Sequence, residues 1–128
     1  MAGFETVQGV RVVARAQAIE ELLAGLADAV TALRIAPDDV FLIGYPGVPA
    51  CSDPDAIVET DRGFSGSWFT VEEFENVIRA HMEWPMPPHG TLGQGLIAGV
   101  PAKVHINNAA VLVVCPTAFV HELEGRLV

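Results

Sequence analysis

Cysteine is scarce in this chain. Two residues, Cys51 and Cys115, stand among 128, too few for a disulfide framework. A single Cys51–Cys115 bridge is conceivable only in an oxidising compartment, so reduced thiols are expected. Positive charge is scarce as well: 7 Lys plus Arg face 16 Asp plus Glu, a formal net charge of -9. Such a surface repels phosphate backbones and disfavours nucleic-acid binding and polybasic attachment to membranes. No apolar run approaches the roughly 18 to 20 residues that span a bilayer. The first residues, MAGFETVQGVRVV, lack a basic region followed by an apolar core, so no signal peptide is read there. A cytoplasmic protein is the expectation. Histidines and cysteines show neither HxxxH nor paired CxxC spacing, so no metal site and no cofactor are expected.

What is present is apolar. Hydrophobic residues make up 51% of the chain and charged residues 18%, which excludes disorder. The length suits one domain with its own core, expected over 1–128. So much apolar residue in so small a chain points to association with itself or within a larger assembly.

The strongest local signal is VPAKVHINNAAVLVVC, Val100 to Cys115. It reads as a β-hairpin turning at Asn107-Asn108, because Asn tolerates the positive φ of tight turns. A two-residue turn there pairs Ile106 with Ala109 and Val104 with Val111 on one face. His105 then pairs with Ala110 on the other. Pro101 lacks a backbone donor, which places the first strand at an edge or bulge. AAVLVVC is apolar throughout and reads as a central strand covered on both faces.

The remaining elements follow in order. Val7 to Val13 reads as a strand, with Arg11 opposite Val10 and Val12 and with Gly9 marking a bulge or edge. Ile19, Leu22, Leu23, Leu26, Val30 and Leu33 recur at helical spacing, which predicts a helix from Ala16 to Arg34 stopped by Pro37. Asp39 to Tyr45 and Ala56 to Thr60 read as strands around a loop, YPGVPACSDPD, with three prolines and a glycine. Asp61 to Ser67 reads as a second loop. Thr70 and Glu73 form a capping box and Phe69 and Phe74 a hydrophobic staple, opening a helix that Pro85 ends. Glu83 to Gly95 has three prolines and three glycines and reads as a long functional loop. A helix from Thr117 to Leu127 closes the chain, with Phe119, Val120, Leu123 and Leu127 inward. The order β-α-β-β-α-β-β-α predicts an α+β fold: a mixed or mostly antiparallel sheet, a C-terminal hairpin and two to three packed helices.

No catalytic constellation stands out. Cys115 ends the central strand, where it is either a nucleophile near a helix start or a small buried hydrophobe. Cys51 lies among acids that raise a thiol pKa. His81 falls on an apolar helical face. His89 sits in the proline-rich loop, free to bind or titrate. His105 and His121 have no motif. The carboxylates Asp38, Asp39, Asp53, Asp55, Glu59 and Asp61 flank two strands, and solvated loop acids are their ordinary reading; DPDAIVETDRG does not fit a calcium loop. GTLGQGLIAG has the wrong order and context for a Rossmann or P-loop cradle.

Phe64, Trp68, Phe69, Trp84 and Met86 are residue types that anchor interfaces. The favoured expectation is a non-catalytic structural or assembly subunit, such as a virion component or the accessory subunit of a complex. It would self-associate or dock through residues 64–95. The alternative is a small enzyme or ligand-binding domain with a pocket between the sheet and the 83–95 loop, using His89, Cys115 and an acid such as Asp61.

Overall fold

A computed structural model describes residues 3–128. It corrects the α+β expectation: 44% of residues are strand and 23% helix, so the chain is closer to all-β. Its hairpins and its long-range strand pairs run antiparallel. The chain folds as two compact units, one of residues 8–62 and one of residues 3–7 with 63–128.

The first unit is built from the part of β1 (Glu5–Val13) that follows Val7, with α1 (Ala16–Ala24), β2 (Thr31–Ala36) and β3 (Asp39–Ile43), the strands in the order β2-β3-β1. Val10 pairs with Leu42 and Val12 with Val40. These residues form a core with Ala18 and Ile19 of α1. Gly9 is in register, opposite Ile43. It carries no side chain because the Phe41 ring lies over it: a Cβ would stand 2.5 Å from Phe41 Cζ.

The helix expected to reach Arg34 ends at Ala24 and Gly25. Leu26 and Val30 still pack on the core, but from a turn, and Leu33 is buried from β2. The apolar spacing marks inward residues correctly and gets their geometry wrong, since Val30 and Thr31 are β-branched and favour extended backbone.

The second unit holds α2 (Val71–Val77), β5 (Leu92–Ile97), β6 (Val100–Asn107), β7 (Ala110–Pro116) and α3 (Val120–Arg126). Strand β4 (Ile57–Thr70) begins in the first unit and ends in the second, where the strand order is β4-β7-β6-β5. The expected loop Asp61 to Ser67 is thus strand. Its glycine reflects close approach: a Cβ on Gly66 would lie 3.1 Å from Val7 Cγ2 and 3.2 Å from the Val113 carbonyl oxygen.

The hairpin forms with a small shift. Its turn is Asn108-Ala109, with Asn108 at φ 41°. Ile106 faces Val111 and Val104 faces Val113. Partners move by two positions, so parity is kept and each side chain stays on its expected face. Val100, Ala102, Val104, Val111, Val113 and Cys115 all enter one core with Phe69, Phe74 and Leu123. β6 is interior, not an edge, because β5 covers its other side. Pro101 is tolerated since pairing with β7 begins only at Lys103.

The helix caps are as expected. Glu73 N–H donates to Thr70 Oγ1 at 3.1 Å, and Thr70 N–H donates to Glu73 Oε1 at 2.9 Å. Those bonds hold the Glu73 carboxyl below the ordinary range. The helix is short, and a 3-10 turn, Arg79–His81, completes it. At the C-terminal end a 3-10 turn, Thr117–Phe119, precedes α3, with Leu123 and Leu127 buried and Phe119 exposed.

Gly93 and Gly95 of GTLGQG have a packing role, whereas Gly90 lies at positive φ in open space. A Cβ on Gly93 would stand 2.7 Å from Trp84 Cζ3, and one on Gly95 2.7 Å from Trp84 Cε2. The indole lies across bare strand, and its Nε1 donates to the Leu96 carbonyl at 2.8 Å. Gly95→Ala is expected to cost about 1–3 kcal/mol, as overpacking does. Urea unfolding measures the loss, and a shift in tryptophan emission reports the displaced ring.

Candidate functional site

β4, β7, β6 and β5 present two faces, and the face away from the core just described carries a defined row. Trp68 pairs with Leu112, Leu112 with His105, and His105 with Leu92. The Trp68 and His105 rings meet edge-on over Leu112, with centroids 6.5 Å apart. Leu112 is buried beneath them, while Trp68 keeps 44% of its surface in solvent. Two positions along lie Lys103 and Gln94, joined by a 2.7 Å bond from Nζ to Oε1. The Lys103 ammonium also stands 5.8 Å from the Phe64 ring centroid, a cation–π contact. A groove of about 330 Å³ follows, lined by Gln94, Leu96, Pro101, Lys103 and Pro116 among others.

The five aromatic and methionine candidates therefore divide. Trp68 is exposed and Phe64 half-buried on this face. Phe69 points the other way into the core, 6.1 Å from the Phe4 ring. Trp84 and Met86 pack against that core from the loop side. Sequence alone missed Lys103 and Leu96, because their strand neighbours were hidden in an expected loop. Leu96 is 56% exposed.

The catalytic candidates are each engaged elsewhere. Cys115 is fully buried, and burial, helped by the charge of Glu124, pushes its thiol up to about 11. His89 Nε2 accepts the Asn108 N–H at 2.7 Å. Asp61 accepts from Arg11 Nη1 at 3.2 Å. Arg11 also grips Asp39 with two bonds of 2.5 and 2.6 Å, which raise the Arg11 pKa. Asp53 is buried beside the start of α1 and accepts N–H bonds from Arg15 and Asp55, each 2.9 Å. Those bonds keep its carboxyl below the ordinary range. Asp38, Asp55 and Glu59 are exposed.

A second hollow of about 470 Å³ lies beside Trp84, lined by His81, Glu83, Leu96, Ala98 and Gly99 among others. His121 is exposed on α3. Cys51 is half-buried, and both cysteines are free thiols. Among the described residues, no three His, Cys, Asp or Glu side chains gather to hold a metal. No helix among them is long and apolar enough to cross a membrane. No protein-family model, curated protein or solved structure matches the chain.

Two measurements check this electrostatic picture. A colorimetric thiol reagent is expected to modify Cys51 in the native protein and Cys115 only after unfolding. Rapid native labelling of Cys115 would contradict its burial. The second concerns His105, which burial, helped by the charge of His89, holds below the ordinary imidazole value of 6.5. The unfolded chain then takes up its proton first. This contribution to stability is whole above about pH 6.5 and declines as pH falls through that value. The urea midpoint is expected to drop between about pH 7.5 and pH 5.5, and to drop less in His105→Gln.

Proposed function

We propose that this chain is a non-catalytic assembly subunit that binds a second copy of itself, with Trp68 at the centre of the contact. One observation carries the reading: a tryptophan 44% exposed on a strand, held edge-on to His105 above a buried leucine. Its ring already packs against His105, which lowers the side-chain entropy lost when a partner covers it. Val71, three residues along, adds exposed apolar surface. Both lie in the 64–95 segment. The chemistry around the other candidates supports a non-catalytic role. At neutral pH a thiol raised to about 11 is protonated and is a poor nucleophile. Backbone N–H donors hold the Asp53 carboxyl below the ordinary range, so it is not poised to give up a proton, and Asp39 and Asp61 are bound to Arg11.

Two copies at net charge -9 repel, and salt screens that repulsion. Sedimentation equilibrium is therefore expected to show a dimer that strengthens between about 0.05 M and 1 M salt, where the screening length falls from more than 10 Å to about 3 Å. Trp68→Glu is expected to stay folded and monomeric at both salts, with a lowered unfolding midpoint because Leu112 loses part of its cover. A monomeric wild type at both salts, at concentrations up to about 0.2 mM, a standard range for weak association, overturns self-association.

A further inference from the structure

We infer that residues 83–91 form an acid-released strap across β5, shut at its far end by His89. The two ends of this segment are held by different chemistry. At the near end the Trp84 indole N–H donates to the Leu96 carbonyl. Arg79 Nη1 donates to the Trp84 carbonyl at 3.4 Å, and Ala98 N–H donates to the His81 carbonyl at 3.0 Å. None of these groups changes charge between pH 5 and 8. In the middle Pro87 sits on Gly93, where a Cβ would stand 2.9 Å from Pro87 Cγ. At the far end the 2.7 Å bond from Asn108 N–H to His89 Nε2 ties the strap to the hairpin turn. Gly90 N–H adds a longer bond of 3.4 Å to the Ile106 carbonyl.

That far tie works with one protonation state. To accept at Nε2 the imidazole must be neutral, with its proton on Nδ1. A protonated imidazolium donates from both nitrogens, so Nε2–H would confront the Asn108 N–H and the bond would be lost. Histidine is the side chain that makes this change near neutral pH. The titratable group facing it is His105 on β6, whose charge and that of His89 act on each other. The turn residues Asn107, Asn108 and Ala109, and the strap residues Pro87, Pro88, Gly90 and Thr91, carry no charge. When both imidazoles are charged they repel, which adds to the release.

The strap is also built to move as a piece. Pro85, Pro87 and Pro88 fix φ along it. The Thr91 hydroxyl and N–H both donate to the Pro88 carbonyl, at 2.6 and 3.0 Å, which folds its end into a turn. Release at His89 therefore frees the 87–91 turn from the hairpin, so that the segment, still held at Trp84 and by its continuation into β5 at Leu92, bows away from the Gly93 stretch of β5. This device stands whether or not the chain self-associates through Trp68.

Amide hydrogen exchange of the full chain, followed by NMR and corrected for intrinsic rates, tests it. The protection of the Asn108 amide is expected to fall between about pH 7.5 and pH 5 by about tenfold or more beyond the loss at core amides such as Val113, which follows only the decline in global stability. His89→Gln supplies a carbonyl acceptor that does not titrate, so Asn108 is expected to stay protected at both pH values. His89→Phe supplies no acceptor and should leave it unprotected at both. His105→Gln should retain the pH response. Equal wild-type protection of Asn108 at both pH values overturns the proposal, as does wild-type-like protection in His89→Phe.

Discussion

Burying β7 on both faces is the constraint from which the second unit is built. Val111 to Cys115 are exposed by 2% or less, so every backbone donor and acceptor along them must be met by a neighbouring strand. β4 supplies one ladder from Phe64 to Thr70 and β6 the other from Lys103 to Asn107. Each face must also be covered. The odd positions do this with Phe69, Phe74, Ile78 and Leu123. At the even position 112 the cover is two side chains, Trp68 and His105, closing over Leu112. A lid made of two rings leaves part of one ring outside, which is how a folding requirement comes to present an exposed tryptophan.

The sequence was legible where the signal is local or depends only on parity. Thr70 and Glu73 satisfy each other within one turn, so the capping box could be read without the fold. In the hairpin, the turn slid from Asn107-Asn108 to Asn108-Ala109, yet Ile106 and Val104 kept their faces because a shift of two preserves alternation. The slide has a tertiary cause that no local rule contains: in the folded chain the Asn108 N–H finds His89 Nε2, nineteen residues back. The expected helix end at Arg34 failed for a related reason. Apolar residues at three- and four-residue spacing point inward from a helix, but a helix, a turn and a strand in succession can point them inward too. Only partners such as Val40, opposite Arg34 on β3, decide between these.

Glycine misled in the strands. Gly63 and Gly66 suggested a loop, and Gly93 and Gly95 a flexible approach to the hairpin. Yet Gly66 and the β5 pair stand in registered ladders because something presses on them. For β5 the object is Trp84, and it lies in the segment that was itself read as a loop. Neither half of that contact carries an alternating pattern, so β5 vanished from the reading. With β5 unread, nothing opposed the edge or bulge that the missing backbone donor of Pro101 implies. The error in fold class has two origins: strand is missed where glycine makes room for a side chain in β4 and β5, and β2 is taken for the end of a helix.

The two tryptophans show why residue type alone does not locate a functional surface. Trp84 has its ring on two glycines and its N–H on a carbonyl, so its apolar area and its polar group are both satisfied within the chain. Trp68 sits on β4, where Phe69 takes the core side and leaves it on the other face. There it has an edge contact to His105 and open solvent. What distinguishes them is the surface each ring rests on. A strand stripped of side chains accepts an indole flat and turns it into structure. Neighbouring strands that carry Leu112 and His105 meet the indole at an edge and leave its remaining face in solvent.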